Sequence, residues 1–183
     1  MSALRSADGR IVAERLVLVP LAVGDADELA AVLGDPALHR FIGGEPLDAD
    51  ALRERYARLV VGHSPDGTQE WFNWVVRGPD GASVGTVQAT VTDGGRTAEV
   101  AWVVGTSWQG RGYATEAARA LVGWLVAGGV VEVVAHVHPD HAASEAVARR
   151  AGLSPTGRTH DGEREWALQV AGNPSTSWCD SST

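Results

Sequence analysis

The chain has 183 residues, of which 44% are hydrophobic and 21% charged, and its formal net charge is −8. This composition is ordinary for a globular protein, and the length suits one domain. The acidic charge argues against a nucleic-acid partner, because phosphate neutralisation dominates that kind of affinity. No apolar run approaches the ~20 residues of a membrane-spanning helix, so we expect no membrane segment and a cytoplasmic location.

The N-terminal half predicts one strand, three helical segments and then an antiparallel meander. Residues 1–13 have no clear periodicity and are predicted to be a loose leader. Helical spacing of apolar residues and breakers such as Pro36 define the helices. The predicted elements lie near residues 15–21, 25–33, 36–42, 48–60, 71–76, 83–92 and 98–104.

The C-terminal half predicts a β-α-β-α order followed by two strands. A helix over 114–127 ends at paired glycines, and a mostly apolar strand over 131–138 follows. A second helix over 142–151 precedes strands near Thr156 and Trp166. The sequence therefore predicts the α+β class: one domain over 14–171, with a mixed, mostly antiparallel sheet of about seven strands flanked by helices. The polar segment 172–183 is predicted to be a disordered tail.

The most informative motif lies between a predicted strand and a predicted helix. Gln109, Gly112 and Ala114 form the spacing Q-x-x-G-x-A. A glycine-rich turn that opens a helix leaves backbone N–H groups free, and the helix dipole adds positive potential there. We therefore expect the backbone of 109–114 to bind a pyrophosphate, through Gln109, Gly110, Arg111, Gly112, Tyr113 and Ala114. The Arg111 side chain either adds charge to this site or is simply solvated.

The segment from about Glu99 to Leu153 resembles the GNAT superfamily of N-acetyltransferases, in the branch of ribosomal-protein and some aminoglycoside acetyltransferases. The matching words are Ala98-Glu99-Val100, Gln109 to Ala117, Val137 to Ser144 and Arg149 to Leu153. The resemblance implies acetyl-coenzyme A as co-substrate and a splay between the fourth and fifth predicted strands. The pantetheine arm would lie there, against Val103 and Val104. No metal is expected.

Two acidic residues are candidates for the general base that the attacking amine requires. Glu99 lies on the strand that would face the acetyl group, and the alternative is a surface or salt-bridged glutamate. Glu70 is the second candidate. By resemblance, the Ser144 hydroxyl would lie near the coenzyme sulfur and donate to the departing thiolate, as an acid or as a hydrogen-bond donor. The alternative is a serine that bonds the local backbone at the helix start. His141 stands where the family usually has an asparagine that helps to hold the pantetheine or the helix start. The histidine can still donate or accept a hydrogen bond there, and the alternative is a neutral substitution in a loop. His136 and His138 are interpreted as structural.

Aromatic residues are candidates for the acceptor pocket. Trp71 and Trp74 flank an amide on the second predicted strand, which suits a cationic, hydroxyl-rich substrate, but alternating tryptophans also form cross-strand core pairs. Trp102 either walls the pocket or fills the core. Phe41 lies where this fold carries its substrate loops, which is an argument from fold analogy.

Three functions remain open from the sequence. The first is an N-acetyltransferase acting on the primary amine of a small cationic acceptor such as an aminoglycoside-like antibiotic. The second is an N-terminal acetyltransferase of a protein or peptide, and the third is a non-catalytic acyl-coenzyme A sensor. Many relatives form homodimers, but no residue of this sequence decides the oligomeric state.

Overall fold

A single mixed β-sheet organises residues 9–170, the part of the chain that the computed structural model describes. Within these residues the sheet has eight strands in the order β1-β2-β3-β4-β5-β6-β8-β7. The strands are β1 (Ile11–Val12), β2 (Val17–Pro20), β3 (Glu70–Arg77), β4 (Ser83–Thr92), β5 (Thr97–Val104), β6 (Glu132–Val137), β7 (Ser154–His160) and β8 (Glu163–Gln169). The α+β class is confirmed. The predicted tail lies outside the described residues.

The eighth strand is β1, which falls inside the segment that the sequence suggested was a loose leader. Ile11 and Val12 pair antiparallel with Leu18 and Val17 of β2. Two residues are too few for a period-2 pattern to be recognised, so this strand carried no usable sequence signal. Because β1 precedes the others, the predicted splay lies between β5 and β6 of the structure.

Five α-helices cover the two faces of the sheet within the described chain. They are α1 (Ala26–Leu33), α2 (Pro36–Ile42), α3 (Ala49–Leu59), α4 (Tyr113–Ala127) and α5 (Ala142–Arg150). Local chemistry sets several of their starts. Asp35 and Asp48 cap α2 and α3 by accepting hydrogen bonds from the backbone N–H groups of Ala37 and Ala51, both at 2.9 Å, which satisfies donors that the helix itself leaves free. None of the helices described is long and apolar enough to span a membrane.

The main core lies between the sheet and helices α4 and α5. In α4 the buried positions Ala117, Leu121 and Leu125 repeat every four residues, so one stripe faces the sheet. Leu121 and Leu125 are fully buried, and burying each such side chain contributes about 1.5–3 kcal/mol. On the opposite face, α1 and α3 pack a smaller cluster around Leu29 and Tyr56.

Strands β5 and β6 are the only neighbours in the described sheet that run parallel, and they pair over a short stretch. Their register joins Thr97 to Glu132, Ala98 to Val133 and Glu99 to Val134. Beyond Glu99 the two strands part, although β5 continues to Val104 and β6 to Val137. The resulting gap opens toward the loop that begins α4, as the predicted splay requires.

Candidate active site

The loop from Gln109 to Gly112 joins β5 to α4 and has the geometry of an anion site. Gly110 and Gly112 have φ angles of 74° and 80°, a left-handed conformation that glycine adopts without the cost of a Cβ atom. Gly112 is the N-cap of α4, so the N–H groups of the first helical turn point out of the helix end. The Gln109 side chain donates to the carbonyl of Val104 at 3.1 Å and ties the loop to β5.

An arginine far away in the sequence braces this loop. The Arg15 guanidinium contacts the Glu116 carboxylate, with Nε to Oε2 at 2.8 Å, and donates to the carbonyl of Arg111 at 3.2 Å. The Arg15 side chain also lies over the ring of Tyr113. The Arg111 side chain itself donates to the carbonyl of Ser107 at 3.3 Å and lies over Trp108. Two guanidinium groups therefore lie beside the loop, although Glu116 compensates the charge of Arg15. No local motif in the sequence could have revealed the contact of Arg15 with the loop.

A first cavity, the coenzyme cavity, begins at this loop and has a volume of about 490 Å³. Its walls are the end of β5, the start of α4 and one side of α5. The predicted coenzyme residues that line it are Val103, Val104, Gln109, Gly110, Gly112, Tyr113, Ala114, His141 and Ser144. Apolar walls beside a backbone anion site fit a pantetheine arm and a pyrophosphate.

A second cavity, the acceptor cavity, has a volume of about 480 Å³ and lies between α2, α3 and the facing surface of the sheet. Asn73, Gln88 and Ala101 occupy one cross-strand row of β3, β4 and β5 and form part of its floor. Tyr56 of α3 lines it from above, and burial raises the pKa of its phenol to about 12, so the hydroxyl remains protonated at neutral pH. The charged residues of its lining are Glu45, Arg55 and Glu163, and its histidines are His39, His136, His138 and His141.

The two cavities meet at one junction. The residues that line both of them are Phe41, Ile42, Trp102, Val103, His141 and Ser144. At the junction the indole Nε1 of Trp102 donates to Ser144 Oγ at 3.0 Å. The Ser144 oxygen is therefore held as an acceptor, and its own hydrogen can point elsewhere.

His141 shapes the same junction from the start of α5. It is the N-cap residue, and its Nδ1 accepts from the backbone N–H of Ser144 at 3.4 Å. Burial, with a smaller contribution from His138, lowers the pKa of His141, so its ring is neutral at neutral pH and can accept this bond. The histidine thus fills the helix-capping position, and its ring packs against Phe41 with ring centroids 4.2 Å apart.

The structure separates the two candidate bases. Glu99 shares the acceptor-cavity face of β5 with Ala101 and Val103, and the β4–β5 register runs unbroken. Its side chain is nevertheless 61% exposed and contacts His136, with Oε1 to Nδ1 at 3.2 Å, outside the cavity lining. Glu70, at the start of β3, shares a strand face with Phe72 and Trp74 and lines neither of the two cavities.

Neither tryptophan of β3 points mainly into the acceptor cavity: Trp74 belongs to the core, and Trp71 lies near the start of the strand. Trp74 is buried against Phe72 and Trp124, and its Nε1 donates to the carbonyl of Gly9 at 2.8 Å. It contributes only to the floor of the acceptor cavity. Trp71 lies outside the acceptor cavity and lines a smaller one of about 280 Å³. Of the four predicted substrate residues, Phe41 and Trp102 lie at the junction.

The acceptor cavity also contains residues that sequence reasoning did not single out as functional. Tyr56 is one of them, and His136 and His138 are two others, which are interpreted from the sequence as structural. Glu163 is the first residue of a strand whose pairing with β6 brings it beside the end of that strand. The alternation of His136 and His138 along β6 was the one available signal, because it puts both rings on one face.

Comparisons with known proteins agree with this geometry. A family model described as acetyltransferase (GNAT) domain matches residues 15–154. No curated protein matches the chain in sequence. In the described residues, no group of three or more histidine, cysteine or acidic side chains could hold a metal ion.

Several solved structures share the fold. A GNAT-family acetyltransferase from Bacillus anthracis is 20% identical, with a TM-score of 0.72, and the match covers 87% of this chain and 98% of that one. RimL, a ribosomal L7/L12 alpha-N-protein acetyltransferase in complex with coenzyme A, is 18% identical, with a TM-score of 0.75 over 88% and 98% of the two chains. AAC(6')-Ib, in complex with parmomycin and acetyl-CoA, is 19% identical, with a TM-score of 0.71 over 85% and 94%.

Proposed function

Because the chain belongs to the acetyltransferase (GNAT) domain family, and is thus an N-acetyltransferase that uses acetyl-coenzyme A, we propose that its acceptor is a small cationic molecule with a primary amine. The observation that carries this proposal is the acceptor cavity, which has carboxylates in its lining and meets the coenzyme cavity at Trp102 and Ser144. A volume of about 480 Å³ lies in the range of small-molecule sites.

The polar groups of the cavity favour an ammonium that is accompanied by hydroxyl groups. Glu45 and Glu163 supply negative charge, and the amides of Asn73 and Gln88 can each donate and accept hydrogen bonds. The net charge of −8 adds long-range attraction for cations. An aminosugar of the aminoglycoside type has this chemistry.

The reaction transfers the acetyl group directly to the amine. The amine lone pair forms a bond to the thioester carbonyl carbon, the carbon–sulfur bond breaks, and its electron pair leaves with sulfur. The sulfur leaves as a thiolate, and the Ser144 hydroxyl can stabilise it by donating a hydrogen bond, because Trp102 already occupies an acceptor position of the Ser144 oxygen. The amine proton must leave to a base or to water.

One observation favours a second acceptor class, the N-terminus of a peptide. Arg55 lines the acceptor cavity, and a guanidinium there can bind a peptide carbonyl or a carboxylate beside the amine. RimL, whose fold this chain shares, is named as an alpha-N-protein acetyltransferase. Neutralising Glu45 or Glu163 should weaken the binding of a small cationic acceptor, whereas neutralising Arg55 should weaken the binding of a peptide. The two substitutions therefore distinguish the two acceptor classes.

A thiol-release assay with acetyl-coenzyme A tests the proposal on aminoglycosides, polyamines and peptides with free N-termini. Saturable release with an aminosugar or polyamine, and a KM for the amine that rises about tenfold or more in Glu45→Gln or Glu163→Gln, supports the small-cation acceptor. Glu54→Gln is the matched control, because Glu54 is exposed on α3 outside the cavity lining. Release with peptides alone, lost in Arg55→Gln, would overturn it in favour of the peptide acceptor. Coenzyme binding without release on any amine would support the sensor.

A further inference from the structure

His136 stands between the acceptor cavity and Glu99. It lies on β6 with its side chain 16% exposed, and it lines the cavity. The β5–β6 register, continued two residues past its last pair, would set Ala101 of the cavity floor opposite His136, where the strands have parted. The imidazole is therefore on the wall of the splay that faces β5.

The two nitrogens of the His136 ring have different surroundings. Nδ1 lies 3.2 Å from Glu99 Oε1, within hydrogen-bond distance, while Nε2 lies 4.0 Å from Glu165 Oε2, beyond it. A carboxylate that accepts from one ring nitrogen fixes the tautomer and leaves the lone pair of the other nitrogen available. With Glu99 as the acceptor at Nδ1, the ring would carry its proton on Nδ1, and Nε2 would be the basic nitrogen.

We propose that His136 is the proton acceptor for the attacking amine and that Glu99 is its positioning residue. This inference rests on the acetyl transfer proposed above. The amine nitrogen forms its bond to the acetyl carbon, the sulfur leaves with the electron pair of the broken bond, and the amine proton moves to Nε2 of His136. Glu99 stabilises the imidazolium that forms and stays ionised, and the proton leaves to solvent at the exposed side of the sheet.

The other charges around His136 have partners of their own or lie further along the cavity. Glu165 forms an ion pair with Arg158 and accepts from Thr156 Oγ1 at 2.9 Å. The Arg158 hydrogen bond is the chief reason that the pKa of Glu165 is lowered, so this acid remains an anion at neutral pH. The ring of His160 lies 5.3 Å from that of His136, centroid to centroid. The remaining titratable groups that share the cavity lining on this side are His138 and Glu163.

Glu99 does not act as the base itself in this arrangement. Its carboxylate is 61% exposed and lies outside the cavity lining, so the amine would have to leave the cavity to reach it. The role that the sequence suggested for Glu99 therefore passes to the histidine that it contacts. Glu163 of β8 also lines the cavity, beside His138 at the end of β6. It is the alternative proton acceptor that a test must exclude.

Nitrogen-15 NMR of the protein without substrate tests the tautomer separately from any activity. The His136 signal is assigned by its loss in His136→Asn. We expect the Nδ1–H form in the wild type and a shift toward the Nε2–H form in Glu99→Gln, because the amide can donate to Nδ1. An Nε2–H tautomer in the wild type would overturn the proposal, whichever amine the enzyme acetylates.

Kinetics with an amine that the wild type acetylates tests the proton transfer. We expect His136→Asn to lower kcat about 10²-fold or more, with the dissociation constant of acetyl-coenzyme A unchanged, and to remove the limb of the kcat–pH profile that belongs to the imidazole. Added imidazole should restore part of the rate to His136→Ala, a rescue that a merely structural role would not give. Glu99→Gln should add little further loss in the His136→Asn background.

Two outcomes contradict the proposal. The first is a wild-type pH profile in His136→Asn, which would show that the imidazole takes no proton. The second is loss of that limb in Glu163→Gln together with its retention in His136→Asn, which would transfer the role to Glu163. A wild type that is inactive on every amine would instead refute the proposed function, while the NMR result would still decide the tautomer.

Discussion

Gly112 and Gly123 lie in the same helix region and should respond to alanine with opposite signs. Gly112 is the N-cap of α4 with φ of 80°, and an L-residue in this left-handed region costs about 1–2 kcal/mol. Its new Cβ would lie 3.4 Å from Arg15 Nη2, which is an ordinary contact, so backbone strain is the main cost. Gly123 lies in the middle of α4 on its exposed side, with nothing within 4 Å of a new Cβ. Alanine at this position should stabilise the folded protein by about 0.5–1 kcal/mol.

Thermal unfolding measures this difference. For a domain of this size, 1 kcal/mol shifts Tm by about 2–4 °C. We therefore expect Gly112→Ala to lower Tm by about 2–8 °C and Gly123→Ala to raise it by about 1–4 °C. The two variants make the same chemical change, so effects of alanine on the unfolded chain cancel in the comparison.

Calorimetric titration with coenzyme A measures the second consequence. If strain at Gly112 displaces one charge-assisted hydrogen bond to pyrophosphate, about 1.5–3 kcal/mol is lost, which corresponds to about a 10- to 100-fold rise in the dissociation constant. Gly112→Asp, which adds a negative charge at the anion site, should abolish binding, and Gly123→Ala should leave it unchanged. Equal Tm values for the two alanine variants, with coenzyme affinity retained in Gly112→Ala, would refute both the strained cap and the anion site.

The remaining predictions concern the junction, the brace of the loop and a distant turn. Ser144→Ala should lower kcat about 10-fold or more, with little change in the affinity for coenzyme A. Trp102→Phe removes the indole donor to Ser144 and should reproduce part of that loss. Full activity in both variants would exclude a catalytic role for the pair. Glu116→Gln should lower Tm but tighten coenzyme A binding, measured by calorimetry, because it removes a negative charge beside the anion site and the ion pair that compensates the charge of Arg15. Weaker binding would contradict this electrostatic account. Hydrogen bonds, chiefly from the Ser64 hydroxyl, lower the pKa of Asp66 to about 2, so its stabilising effect is present above about pH 4 and is lost as the pH falls toward 2. The Tm deficit of Asp66→Asn should therefore shrink over that window, and a constant deficit would argue against the assignment.

The coenzyme loop could be predicted from sequence because its determinants are local. The site consists of consecutive backbone groups at a helix start, and glycine at 110 and 112 marks the left-handed turn that exposes them. A strand before the motif and a helix after it completed the pattern. The Arg15 brace could not be predicted in the same way, because 101 residues separate Arg15 from Glu116 and only the folded sheet brings them together.

The acceptor cavity was less predictable because it is assembled from distant segments. Alternation along β5 is enough to put Glu99 on the face of Ala101 and Val103. Alternation does not encode which residue of β6 comes to face that position, since this depends on a short parallel register set by the crossover through α4. The contact between Glu99 and His136 could therefore not be predicted from the sequence, which is why His136 is interpreted from the sequence as structural.

The splay also explains why Trp102 belongs to both cavities. After Glu99, β5 no longer has β6 as a hydrogen-bonded neighbour, so a side chain on this part of β5 can reach α5. The indole of Trp102 does so through its hydrogen bond to Ser144. That bond lies where the two cavities meet, so in the proposed mechanism it would hold the Ser144 hydroxyl beside the point of transfer. In the proposed mechanism Ser144, the hydrogen-bond donor to sulfur, lies on the α5 side of the junction, and His136 lies on the β6 wall of the splay. The amine would thus lose its proton on one side of β5 while the departing thiolate is stabilised on the other.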